Sequence, residues 1–129
     1  PQVFETVTPD GFRAGFLICT ELWFSEYARA YGDAGAHLVL CPRATPLSSV
    51  DKWLVGGRNA AVVSGAFCLS SNRGGAGENG MAWGGTGWAV EPMEGRVLGL
   101  TNDVHPFLTL DLKLEQAESA KLSYPRYVR

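Results

Sequence analysis

The chain has 129 residues, enough for one domain with a buried core, and 46% of them are hydrophobic against 19% charged. A formal net charge of −2, with no run of Lys or Arg, excludes an electrostatic grip on nucleic acid. No apolar stretch reaches the length of a membrane span, and no signal-peptide pattern opens the sequence. Three cysteines, an odd number, argue against a disulfide framework and place the chain in a reducing compartment, the cytoplasm.

The chain begins at Pro1 and runs within a few residues into an extended segment, "PQVFET", which predicts a piece of a longer protein. "PDG" at 9–11 is turn chemistry, and "FRAGFLIC" behind it reads as a strand buried on both faces. A short helix follows over 24–31, with Ser25 as its cap and Gly32 or Gly35 as its stop. "AHLVLC" (36–41) is the next strand, ended by Pro42. The second helix lies in "PLSSVDKWLVGGRNAAVVSG", capped by Ser48 or Ser49, although Gly56 and Gly57 weaken it in mid-course.

"AFCLSSN" (66–72) is a further strand, and the loop 73–80 carries a tight turn at Asn79-Gly80. "GTGWAVEP", "GRVLGLT" and "PFLTLDL" read as three strands with turns at "MEG" and "NDVHP". "LEQAESAKLS" closes the chain as a helix. Strand–helix alternation implies an α/β fold, a sheet with parallel pairs and helices on a face. Its site belongs off the carboxyl ends of the strands.

Cys19 falls there, at a strand-to-helix turn. A free cysteine is most often a small buried hydrophobe, yet backbone N–H groups at such a turn activate a thiol and hold an oxyanion. Both readings stand on local physics. Cys41 and Cys68, in or at the end of apolar strands, read as core. The Cys and His positions hold no metal-ligand spacing, so no metal is expected. A Cys–His pair is disfavoured, because His37 opens a strand and His105 sits in a turn. "GGAGENG" lacks the Lys-Ser/Thr of a phosphate loop.

Four ordered blocks carry a resemblance. "DGFRAGFLICTELWFSEYARAYGDAGAHLVLCPRATP" resembles the nucleophile block of the nitrilase, or carbon–nitrogen hydrolase, superfamily. "GRNAAVVSGAFCLSSNR", "GGTGWAVEPMEGRVL" and "PFLTLDLKLEQAESAKLSYPRYV" are similar to the segments that follow it. One departure is Phe24-Ser25-Glu26, where the family usually has Phe-Pro-Glu. The resemblance covers the chain and identifies residues 1–129 as the C-terminal portion of such a domain.

It implies an α-β-β-α sandwich, of which this is the C-terminal portion only, and hydrolysis of an amide, carbamoyl or nitrile C–N bond without cofactor. Cys19 maps onto the nucleophile, and the backbone of Thr20 onto an oxyanion donor. The family's general-base Glu and oxyanion Lys lie upstream of the nucleophile, and no lysine precedes Cys19 here. Glu21 either holds the elbow or enters the substrate pocket. Arg43, Ala44 and Thr45 are expected to edge that pocket, Arg43 pairing with an acidic substrate group, and Trp83 either packs in the hairpin or walls the pocket. A small amide-type substrate is implied, together with a homo-oligomer or a companion chain that covers the bare sheet face; neither nucleic acid nor membrane is an expected partner.

Overall fold

The computed structural model describes residues 5–128. Six strands and three helices follow one another as β1 (Glu5–Val7), β2 (Arg13–Phe16), α1 (Ser25–Asp33), β3 (Leu38–Arg43), α2 (Val50–Ser64), β4 (Phe67–Asn72), β5 (Trp88–Val90), β6 (Val97–Leu100) and α3 (Leu114–Ala120). The strands form one sheet in chain order, β1-β2-β3-β4-β5-β6. β2, β3 and β4 are parallel, and the outer pairings are antiparallel.

This order dictates which face is covered. Parallel crossovers are right-handed, so two of them stepping the same way along a sheet set both helices on one side. α1 and α2 lie side by side there, joined by Asn59 Nδ2 donating to Ser25 Oγ at 3.0 Å. Beneath them Val39, Cys41, Cys68, Trp88 and Val90 pack with Leu17, Leu22, Tyr31 and the alanines of both helices. Gly15 and Gly57 make that packing possible. A Cβ on Gly15 would lie 2.2 Å from the Tyr31 ring, and one on Gly57 2.5 Å from Trp88. Gly56 and Gly57 therefore seat the helix on its neighbours, and α2 runs unbroken through both.

The other face carries Phe16, Leu40, Leu69 and Ala89, and among the described residues no helix lines the cleft against them. An open cleft of about 590 Å³ lies against it.

The structure corrects several expectations. Ser25 is the first residue of α1 and Phe24 stands at its N-cap, without a side-chain cap; Gly32 lies inside the helix, and Gly35, at φ +82°, marks its end. Ser49 precedes α2, but its hydroxyl donates to the Pro46 carbonyl instead of capping. Pro42 does not end β3: pairing continues to Arg43 opposite Asn72, and the Arg43 carbonyl accepts the Arg73 N–H. "PFLTLDL" has no ladder partner among the described residues. It crosses the bare face, with Leu108, Leu110 and Leu112 lining the cleft and Leu108 against Gly99. Its period-2 pattern turns one side of an extended chain onto a sheet face, not a strand into a ladder. The part of "PQVFET" at residues 1–4 lies outside the described residues.

Candidate active site

The Leu17 N–H donates to the Leu40 carbonyl at 2.9 Å, which carries the β2–β3 pairing to within two residues of Cys19. There the chain turns sharply. Cys19 has φ +49°, in the left-handed region, which costs a non-glycine residue about 1–2 kcal/mol. Strain of this kind persists where surrounding structure fixes it, and it clusters at functional sites. A short 3₁₀ turn, Cys19–Trp23, then leads into α1.

The surroundings that fix the turn are visible. Glu21 folds back so that its carboxylate accepts the Ile18 N–H at 2.7 Å, while the Glu21 N–H donates to the Ile18 carbonyl at 3.1 Å. Leu22 is fully buried. Trp23 meets the Trp53 ring of α2 at 5.2 Å between centroids. Below, the Cys41 thiol faces the Cys19 carbonyl at 4.0 Å. Cys19 itself is half-buried, and Thr20 is exposed at the start of the turn.

Arg43 and Thr45 come together in one network beside this turn. Arg43 donates to Ser70 Oγ through Nε (2.7 Å), to Thr45 Oγ1 through Nη1 (3.0 Å) and to the Thr86 carbonyl through Nη2 (2.7 Å). Its guanidinium lies 3.9 Å above the Trp88 ring. The Thr45 N–H donates to Asn72 Oδ1 at 2.9 Å. Ala44 is exposed. Trp83 stands farther along, on the loop after β4, bridged to Pro46 and covered by the Arg73 guanidinium at 4.5 Å.

Ser70, Asn72 and Thr86 were not singled out as site residues in the sequence. The signal lay in the parallel register, which sets Cys41 beside Ser70 and Arg43 beside Asn72. "PRAT" and "SSN" are thereby neighbours at adjacent strand ends.

Burial pushes the Cys41 thiol up to about 12, and burial raises Cys68 to about 11. Both are buried in the core, and neither ionises near neutral pH. His37 lies at the amino-terminal end of β3, opposite Cys19, and its Nδ1 accepts the Arg13 N–H at 3.0 Å. Burial, with Lys121 adding to it, holds its imidazole below the ordinary value. His105 is exposed in a turn organised by Asn102 Oδ1. No cluster of three or more metal-ligating side chains occurs among the described residues, and no helix there is long and apolar enough to cross a membrane.

A strained cysteine at the carboxyl end of a parallel strand, beside a helix-covered sheet, is a candidate nucleophile on an α/β fold. The chain belongs to the carbon–nitrogen hydrolase family, whose pattern matches residues 2–121. It is 32% identical over 123 residues to an (R)-stereoselective amidase from Pseudomonas sp., covering 94% of this chain and 44% of that protein. The fold matches a carbon–nitrogen hydrolase from Helicobacter pylori G27 with a TM-score of 0.83 at 21% identity, over 95% of this chain and 47% of that one. An amidase from Nesterenkonia sp. AN1, solved with acrylamide added at its active-site cysteine, matches with a TM-score of 0.70 at 29% identity, over 92% and 45% of the two chains. The chain thus spans less than half the length of these relatives.

Proposed function

We propose that the intact protein hydrolyses the non-peptide C–N bond of a small amide or carbamoyl compound through a thioester on Cys19. The observation that carries this reading is the left-handed backbone of Cys19 on a turn off the carboxyl end of β2. The cysteine-modified amidase among the relatives supports it.

In this mechanism the Cys19 thiolate attacks the carbonyl carbon, and the C=O electron pair moves onto oxygen. The backbone N–H of Thr20 and a lysine stabilise that oxyanion. Collapse breaks the C–N bond, and the amine or ammonia leaves with a proton from the protonated general-base glutamate. Water then attacks the thioester, the glutamate takes its proton, and the acid departs as the thiolate is restored. The glutamate and lysine belong to an N-terminal portion, either of the same polypeptide or of a companion chain.

That portion also covers the bare sheet face, since an apolar surface of this kind is a liability in water. Residues 1–129 are then the C-terminal portion of the domain, and on their own they turn over little or no substrate. A purely structural half-domain acting through assembly is the second reading; the uncovered cleft against Phe16, Leu40 and Leu69 is common to both.

Ammonia release from a panel of amides by the intact protein separates the two. The expected result is turnover that falls by about 10³-fold or more in Cys19→Ala. Turnover unaffected by that substitution would falsify the nucleophile assignment. No turnover of any amide by a folded, intact protein leaves the structural reading.

A further inference from the structure

Arg43 is only 6% exposed, yet it is not aimed at open solvent or at the cleft. Its three nitrogens each hold a different wall: Ser70 at the end of β4, Thr45 just past β3, and Thr86 just before β5. Ser70 passes the link on, donating its hydroxyl to the Cys41 carbonyl. The Cys41 side chain lies against the Cys19 carbonyl. On the other side the guanidinium lies 5.8 Å from the Trp53 ring, and Trp53 packs on Trp23 within the Cys19 turn. Two routes therefore run from one guanidinium to the strained residue.

The charge of Arg43 is equally informative. No carboxylate among the described residues pairs with it. A buried cation without a counter-ion costs several kcal/mol, so a protein retains one where it has a use. Burial lowers its pKa, and the groups that oppose this effect are the three thiols of Cys41, Cys19 and Cys68. Cys41 and Cys68 stay neutral near pH 7, as their raised values require.

We infer that Arg43 is a positioning residue for Cys19, a buried cation that locks three strand ends into the frame holding the strained turn, and not a contact for an acidic substrate group. This inference rests on the assignment of Cys19 as nucleophile. It corrects the role expected for Arg43 from the sequence: its hydrogen bonds already commit the guanidinium to the protein.

The test uses the intact protein and reads the rate at which iodoacetamide alkylates Cys19 at neutral pH, followed by peptide mass, beside kcat and KM for an amide substrate. Arg43→Lys keeps the charge, but its single nitrogen cannot reach Ser70, Thr45 and Thr86 together. The expected result is an alkylation rate and a kcat each lowered about tenfold or more, with KM within about twofold of wild type. Arg43→Gln, which also removes the charge, is expected to fall further.

A raised KM with alkylation unchanged would make Arg43 a substrate contact and overturn the inference. A lower melting temperature with alkylation and kcat both unchanged would reduce it to a packing role and overturn it equally. If the Arg43 variants do not fold, Ser70→Ala leaves Arg43 in place and cuts one route; slower alkylation of Cys19 supports the inference, and an unchanged rate refutes it. A wild-type protein alkylated at a site other than Cys19 would instead remove the nucleophile assignment, and this inference with it.

Discussion

The two faces of the sheet differ in kind. Toward α1 and α2, alternate residues of β3, β4 and β5 disappear into a packed layer of alanines, Leu22 and Tyr31. Toward the other side, Phe16 is 38% exposed, and Leu108 and Leu110 lie over an open cleft without closing it. Both faces are apolar, so hydrophobicity alone does not distinguish them. Connectivity does: right-handed crossovers in one direction deliver helices to one side. The covered face is closed by its own helices, while the other keeps an open apolar cleft among the described residues.

The comparison breaks most visibly at Gly15. Gly15→Ala sets a Cβ 2.2 Å from the Tyr31 ring, a ring fixed between α1 and the sheet. Overpacking of this order costs about 3 kcal/mol. Circular dichroism melting is expected to show the largest loss of any substitution considered, and an unchanged melt would mean the helix layer is not rigid. Gly57→Ala sharpens the point, because two effects compete there. Helix propensity favours alanine by about 1 kcal/mol. The Trp88 ring 2.5 Å away opposes it, and packing wins, so a net loss is expected.

Glu91 comes next. Its buried carboxylate accepts the N–H groups of Met93, Glu94 and Arg96, closing the β5–β6 turn. Burial raises its pKa, but these three bonds and the Arg96 charge outweigh burial and hold it below the ordinary value. A depressed carboxylate stabilises the fold above its unfolded pKa, and that contribution disappears as pH falls through the folded value. Glu91→Gln is expected to cost about 1–3 kcal/mol at neutral pH and to flatten the acid limb of the stability curve. Equal acid slopes in both proteins would rule the carboxylate out as their source.

The sequence made the parallel core legible, because apolar runs at 13–18, 36–41 and 66–72 alternate with helical patterns. It also singled out Cys19, through its place after a strand and through the family's nucleophile block. What stayed hidden depends on contacts far apart in the chain. Nothing local to "VEPMEG" says that Glu91 will be buried under three amides. Pro42 reads as a stop, yet the ladder runs on through Pro42 opposite Ser71 to Arg43 opposite Asn72. "PFLTLDL" has a strand's alternation, but alternation specifies two faces and not a neighbour. Arg43 was expected at a pocket edge from the sequence; its commitment to Ser70, Thr45 and Thr86 required the register.

On the bare face the expected effects on folding are small. Leu108→Ser and Leu110→Ser remove side chains that line an open cleft, so each is expected to cost under about 1 kcal/mol. On the proposed reading, the same changes are expected to weaken association with the N-terminal portion or companion chain supplied in trans, read by sedimentation velocity. A melt lowered as far as by Gly15→Ala would contradict the division between the faces.

A pH-dependent effect lies at the base of the sheet, where Lys121 donates to the Gly65 carbonyl at 2.9 Å. Burial, with the Arg126 charge nearby, lowers its pKa to about 8 from 10.5. The unfolded chain then binds more protons than the folded one between those two values. Stability contributed by this group therefore rises with pH from about 8 upward and levels off near 10.5. Lys121→Met removes the rise. A wild-type melting temperature that climbs no more steeply than the variant's over that interval would show that Lys121 keeps its proton in the fold.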